Sequence, residues 1–99
     1  MALREDVLKA IDTVSPELIA LAKRIHATPE VAFQEVRSST WLSETLEANG
    51  FGVQRGVADL PTAFRAEAAG SGAGPTVAFL AEYDALPEIG HACGHNLIC

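Results

Sequence analysis

The side chains best suited to chemistry lie together near the end of the sequence. Residues 82–96 read EYDALPEIGHACGHN, and this segment contains a cysteine and two histidines close behind the carboxylates of Glu82 and Asp84. Cysteine thiolate and imidazole both suit zinc and similar borderline metals, and carboxylates can bind a metal or orient a histidine ring. The segment therefore predicts a site for a divalent metal ion.

The spacing of these residues brings ligand atoms together in either regular backbone conformation. In an extended segment His91, Cys93 and His95 point to one face, because successive side chains alternate. In a helix, His91, His95 and Cys99 share a face instead. Both arrangements stay open at this point.

Simpler structural roles compete with metal binding for several of these residues. We expect His91 to hydrogen-bond a backbone carbonyl rather than to bind metal, and Cys99 to be a small core residue of a following helix. His26 is typical of a side chain that caps a helix end. Two further hypotheses follow: a metal-free interaction domain, or a small structural zinc module that uses His91, Cys93, His95 and Cys99.

A long amphipathic helix is predicted at the start of the chain. Apolar residues recur at three- and four-residue steps from Val7 to Ile25, which is the spacing of one helix face. Pro16 predicts a kink or a restart with Ser15 as the N-cap, because proline lacks the amide proton that a helix interior needs. Pro29 predicts the end of this helix, since the residue before a proline is pushed out of the helical region.

A second helix and three strands are predicted further along. The helix covers about residues 34–48 and ends at Asn49-Gly50. Residues 51–54 and 62–67 alternate in the manner of half-buried strands, whereas the continuous apolar run 76–81 predicts a strand buried on both faces. Its carboxyl end leads into the candidate metal site, where open α/β sheets place their ligands. We expect an α/β fold with helices packed on a mixed sheet.

Composition narrows the possible functions. Seven Lys plus Arg stand against thirteen Asp plus Glu, for a net charge of -6. Proteins that bind nucleic acid or acidic membranes are expected to be basic, so we expect neither partner. The cysteines number two, too few for a disulfide framework, and no secretory signal or apolar run of ~20 residues is visible. A single cytoplasmic domain or a piece of one is predicted.

Two segments resemble a known enzyme family. Residues 81–96, AEYDALPEIGHACGHN, resemble the metal-dependent amidohydrolases and metallopeptidases that include p-aminobenzoyl-glutamate hydrolase, hippurate hydrolase and indole-acetyl-amino-acid hydrolase. Residues 25–35, IHATPEVAFQE, look like the early His-x-x-Pro-Glu segment of that family, and 49–51 like its helix-end Gly-Phe. The Glu82-Tyr83 pair and Asn96 are most similar to the p-aminobenzoyl-glutamate hydrolase and dipeptidase branch.

This resemblance implies specific roles. Cys93 and His95 would bind metal, Asp84 would be the carboxylate that orients the site, and the cofactors would be two divalent ions, zinc or manganese. Residues 1–99 would be the N-terminal fragment of a zinc-peptidase-like catalytic domain, without the family's lid or dimerisation domain.

The resemblance also implies a substrate and a limit on activity. Family members cleave an amide bond next to a free carboxylate, so the substrate would be a small molecule: an N-acyl amino acid, a p-aminobenzoyl-glutamate-like amide or a dipeptide. The parent protein would be able to form a homodimer. The family's general base, in a Glu-Glu pair, and two further histidines would lie past residue 99, so this chain alone is expected to be inactive.

Overall fold

The computed structural model describes residues 2–99. The elements in chain order are α1 Ala2–Ala27, α2 Val36–Ala48, β1 Gly52–Arg55, a 3-10 turn Val57–Asp59, β2 Phe64–Glu67 and a one-turn helix α3 His95–Ile98. β1 and β2 pair antiparallel, with Gly52 opposite Glu67 and Arg55 opposite Phe64. Helices thus combine with a two-stranded sheet, in agreement with the predicted α/β class.

The first helix runs through its proline. α1 is one element from Ala2 to Ala27 with Pro16 inside it, so the restart and the Ser15 N-cap are wrong. The Ser15 hydroxyl instead donates to the Ile11 carbonyl at 2.7 Å, a bond that serine commonly makes within a helix. The predicted end before Pro29 is confirmed.

The second helix packs through small hydroxyl residues and an aromatic contact. Ser38 and Ser43 are its buried residues, whereas Val36 is largely exposed. The Arg24 guanidinium lies 4.0 Å from the centre of the Trp41 ring, which joins α1 to α2 by a cation-π contact. Ile25 is fully buried, so the core lies at the carboxyl end of α1.

The hairpin packs against α2. Arg55 donates from Nε to the Ser43 hydroxyl at 3.2 Å and forms an ion pair with Glu47. These contacts fix β1 to the helix that precedes it. The strands predicted at 51–54 and 62–67 are confirmed, the first shifted by one residue and the second shorter by two at its start.

The apolar run 76–81 does not form the predicted strand, and this prediction is wrong for the described residues. Val77, Phe79 and Leu80 are 73%, 91% and 100% exposed. The sheet contains β1 and β2 alone among residues 2–99, so the run has no neighbouring strand to supply ladder hydrogen bonds. A continuous run of apolar residues shows that a segment can be buried. It becomes buried only where another strand or helix packs against it.

The accessible surface reflects this uncovered run. It measures 7565 Å², against about 5,400 Å² expected for a folded monomer of this mass. Within residues 2–99, no helix has both the length and the apolar character needed to cross a bilayer. Much apolar surface of this chain thus stays in contact with water.

Candidate metal centre

Three polar side chains converge after the apolar run. Glu82, Asp84 and His95 each offer a ligand atom, and these three atoms lie within 4.8 Å of one another. His95 Nδ1 is 2.7 Å from Asp84 Oδ1, and His95 Nε2 is 3.3 Å from Glu82 Oε2. One imidazole is therefore held between two carboxylates.

The hydrogen bond that His95 makes to Asp84 determines the tautomer of the neutral His95 ring. A carboxylate oxygen accepts, so Nδ1 must carry a proton, and the lone pair of a neutral ring then lies on Nε2. That nitrogen faces the Glu82 carboxylate. Two electron-rich atoms can face each other only with a proton or a cation between them, so this donor set fits a divalent ion.

The two carboxylates differ in exposure, which suits different roles. The Asp84 side chain is 30% exposed and that of Glu82 is 76% exposed. The Asp84 hydrogen bond, opposed in part by burial, raises the pKa of His95. Asp84 is therefore the more buried carboxylate beside the ring, while Glu82 lies on the open side.

Local backbone geometry brings His95 to this position. Gly94 has φ +84°, a left-handed conformation that side chains other than glycine rarely adopt, and it precedes α3 directly. On the other side, the Tyr83 hydroxyl donates to the Thr62 carbonyl and its ring stacks on Phe64 with centroids 5.9 Å apart. Tyr83, which directly precedes Asp84, therefore attaches this segment to the hairpin.

The known proteins with similar sequences carry the names of enzymes that hydrolyse amide bonds. The chain is 47% identical over 105 residues to the Xaa-Arg dipeptidase of Mus musculus, an alignment that covers 97% of this chain and 24% of that protein. It is 37% identical to one of the p-aminobenzoyl-glutamate hydrolase polypeptides of Escherichia coli K12, over 90% of this chain and 22% of the relative.

A third relative extends the same group. The N-acyl-L-amino acid amidohydrolase of Geobacillus stearothermophilus is 31% identical over 94% of this chain and 28% of its own length. Over nearly its whole length, the chain is a homologue of these named amidohydrolases and dipeptidases. It spans about a quarter of the length of the relatives it matches. No protein-family model matches it.

The structure brings two of the three predicted site residues together. Asp84 and His95 are in direct contact, whereas Cys93 is exposed and lies outside the cluster. Metal binding by Cys93 and His95 and orientation by Asp84 stay predictions. Glu82 was not among the residues that the resemblance assigned. The signal for it is the alternation of Glu82 and Asp84, which places both carboxylates on one face of an extended segment.

The remaining histidine and cysteine of the segment take other positions. His91 is 8% exposed, its ring centre lies 6.2 Å from that of His26, and neither ring nitrogen has a hydrogen-bond partner among residues 2–99. Burial, with His26 nearby, lowers the pKa of His91. Cys99 is exposed rather than a core residue, so that prediction is wrong.

Proposed function

We propose that this chain is the N-terminal metal-binding part of a metal-dependent amidohydrolase that cleaves the amide bond of a small substrate with a free carboxylate. The observation that carries the proposal is His95, with Asp84 on Nδ1 and Glu82 facing Nε2. The names of the relatives support the reaction class. A dipeptide, an N-acyl amino acid or a p-aminobenzoyl-glutamate-like amide is the proposed substrate.

Each residue of the cluster has a proposed task. His95 would bind a zinc or manganese ion through Nε2, Glu82 would supply a carboxylate oxygen, and Asp84 would keep Nδ1 protonated so that the ring cannot rotate. Cys93 would be a further ligand after a change in its loop. When bound, such ions lower the pKa of water and polarise the scissile carbonyl.

The complete reaction needs groups that residues 1–99 do not supply in this cluster. We propose that a general base, further ligands, a second ion and a lid or dimerisation domain belong to a longer cytoplasmic parent protein. That parent would act as a homodimer. Sequencing the gene past codon 99 tests this point, and a Glu-Glu pair followed by two histidines is the expected result.

A metal titration tests the site itself. We expect the purified protein to bind Mn²⁺ or Co²⁺, and His95→Ala to weaken binding at least about 100-fold because one ligand and its two carboxylate contacts are lost. His26→Ala is the matched control, because this exposed histidine lies outside the cluster. Equal metal affinity of His95→Ala and the wild-type protein would contradict the proposal.

An amide-cleavage assay separates binding from turnover. Xaa-Arg dipeptides, N-acyl amino acids and p-aminobenzoyl-glutamate are the substrates to compare, with added Mn²⁺ or Zn²⁺. We expect activity in the longer parent protein and none in residues 1–99 alone. If the isolated 99 residues cleaved a substrate in a metal-dependent way, the proposal that the base and further ligands belong to a longer parent protein would be wrong.

A further inference from the structure

We propose that Glu30 is a positioning residue for the metal centre, because it connects the first turn of α2 to the loop that holds Asp84. The inference rests on the proposed metal site and deepens it. Glu30 lies far from the cluster in sequence and contacts none of its side chains. It acts through the backbone beside Asp84.

The Glu30 side chain caps α2 from outside the helix. Its Oε1 accepts a hydrogen bond from the Ser38 amide at 2.7 Å, and its Oε2 accepts one from the Arg37 amide at 3.0 Å. The first-turn amides of a helix have no partner within the helix. Glu35, the residue at the N-cap position, makes no side-chain capping bond. Glu30 therefore satisfies donors that the local sequence leaves free.

The main chain of the same residue holds the site loop. The Glu30 carbonyl accepts a hydrogen bond from the Ala85 amide at 2.7 Å, and Val31 forms a parallel bridge with Ala85. Ala85 is 3% exposed and follows Asp84 directly. One residue thus joins α2 through its side chain and the metal loop through its backbone.

The two side-chain bonds are of a kind that fixes orientation. Each is charge-assisted, and the carboxylate lies at the positive end of the α2 dipole. With both oxygens engaged, the rotation of the Glu30 side chain is restricted, and so is the direction of its own carbonyl. The position of Ala85, and with it that of the Asp84 carboxylate on His95, follows from this restriction.

The test compares Glu30→Ala and Glu30→Gln with Glu44→Gln. Glu44 is an exposed residue of α2, so its variant matches the loss of charge without loss of a capping bond. Two quantities are measured: Co²⁺ affinity with the visible absorption of the bound ion, and hydrogen exchange of the Ala85 amide in the metal-free protein, with amides in the middle of α1 as the internal reference.

We expect Glu30→Ala to weaken Co²⁺ binding about 10- to 100-fold and to change the absorption bands, since residues behind the ligands affect metal affinity by this factor. Exchange at Ala85 should accelerate while the α1 amides keep their protection. Glu30→Gln should recover part of both effects, because it retains one acceptor oxygen. Glu44→Gln should match the wild-type protein.

Three results would overturn or separate the two proposals. If the Ala85 amide exchanges at the wild-type rate in both Glu30 variants, the positioning role is overturned. It is also overturned if the amides of α1 lose as much protection as the Ala85 amide. If Glu30→Ala fails to fold, Glu30→Gln is judged by the same criteria. If the wild-type protein binds no Co²⁺, the metal site fails, and exchange at Ala85 still decides whether Glu30 positions this loop.

Discussion

Two stretches with strand-forming sequences meet different surroundings in this chain. β1 pairs with β2 and is fixed to α2 through Arg55, which contacts Ser43 and Glu47. The run 76–81 is more apolar, yet its side chains at Val77, Phe79 and Leu80 are exposed. The difference lies in the partners that the chain supplies, because hydrophobic residues gain nothing until other surface covers them. The metal cluster lies directly after the uncovered run.

The largest stability effect is expected in the packed region. Ile25→Ala removes a fully buried side chain at the end of α1 and should lower the free energy of unfolding by about 2–5 kcal/mol. Urea denaturation measures this change. Ile19→Ala is the matched control, because Ile19 is 55% exposed on the same helix. If both variants lowered the free energy of unfolding equally, Ile25 would be no better packed than an exposed residue of the same helix.

The metal cluster should respond mainly to pH. Asp84 raises the pKa of His95, and a bound ion needs the neutral ring. As pH falls through this raised pKa, apparent Co²⁺ affinity should drop about tenfold per pH unit. Calorimetric titrations at several pH values measure this slope. A flat profile would show that His95 does not exchange its proton for the ion.

The folding stability of the metal-free protein should depend on pH in the opposite direction to its metal affinity. A raised pKa means that protonated His95 contributes stability that is fully present below the ordinary histidine pKa of about 6.5. This contribution is lost as pH rises through the raised pKa in the folded state. Asp84→Asn should reduce this part of the pH dependence in thermal melts, and an unchanged profile would contradict the pairing.

Tyr83→Phe tests the contact between the hairpin and the segment after the apolar run, and its effect on the free energy of unfolding should be intermediate. The variant loses the hydrogen bond to the Thr62 carbonyl and keeps the stacking on Phe64, at an expected cost of about 1 kcal/mol in urea denaturation. Burial raises the pKa of Tyr83 to about 12, so tyrosinate absorbance should appear only near that pH. Ionisation at the ordinary value would show that the Tyr83 ring is not buried.

The smallest stability effect is expected in the uncovered run. Leu80 is 100% exposed, so Leu80→Ser should change the free energy of unfolding by at most about 0.5 kcal/mol. It should reduce self-association at high protein concentration, as measured by light scattering. A loss as large as that of Ile25→Ala would show that the run is buried after all.

The sequence predicts features that depend on neighbouring residues better than those that depend on distant ones. The end of α1 before Pro29, the end of α2 near Asn49 and the two paired strands follow from short patterns, and all are confirmed. The restart at Pro16 is wrong because the helix-forming residues on both sides of an isolated proline outweigh its signal. The strand at 76–81 is wrong because its pattern cannot specify a partner.

The candidate site divides in the same way. The proximity of Asp84 to His95 follows from a short segment rich in ligands, although their metal-binding roles stay predictions. The position of Cys93 outside the cluster depends on the turn before α3, which residue types alone do not determine. The capping of α2 by Glu30 was missed because it spans eight residues, beyond the range of ordinary capping patterns.

The bridge between Val31 and Ala85 also has a consequence for the order of folding. It joins residues separated by about 50 positions, so its formation must overcome a loop-closure entropy that the helices and the hairpin do not face. Contacts of such high sequence separation form slowly. We therefore expect α1, α2 and the hairpin to form before the segment around Asp84 reaches its place.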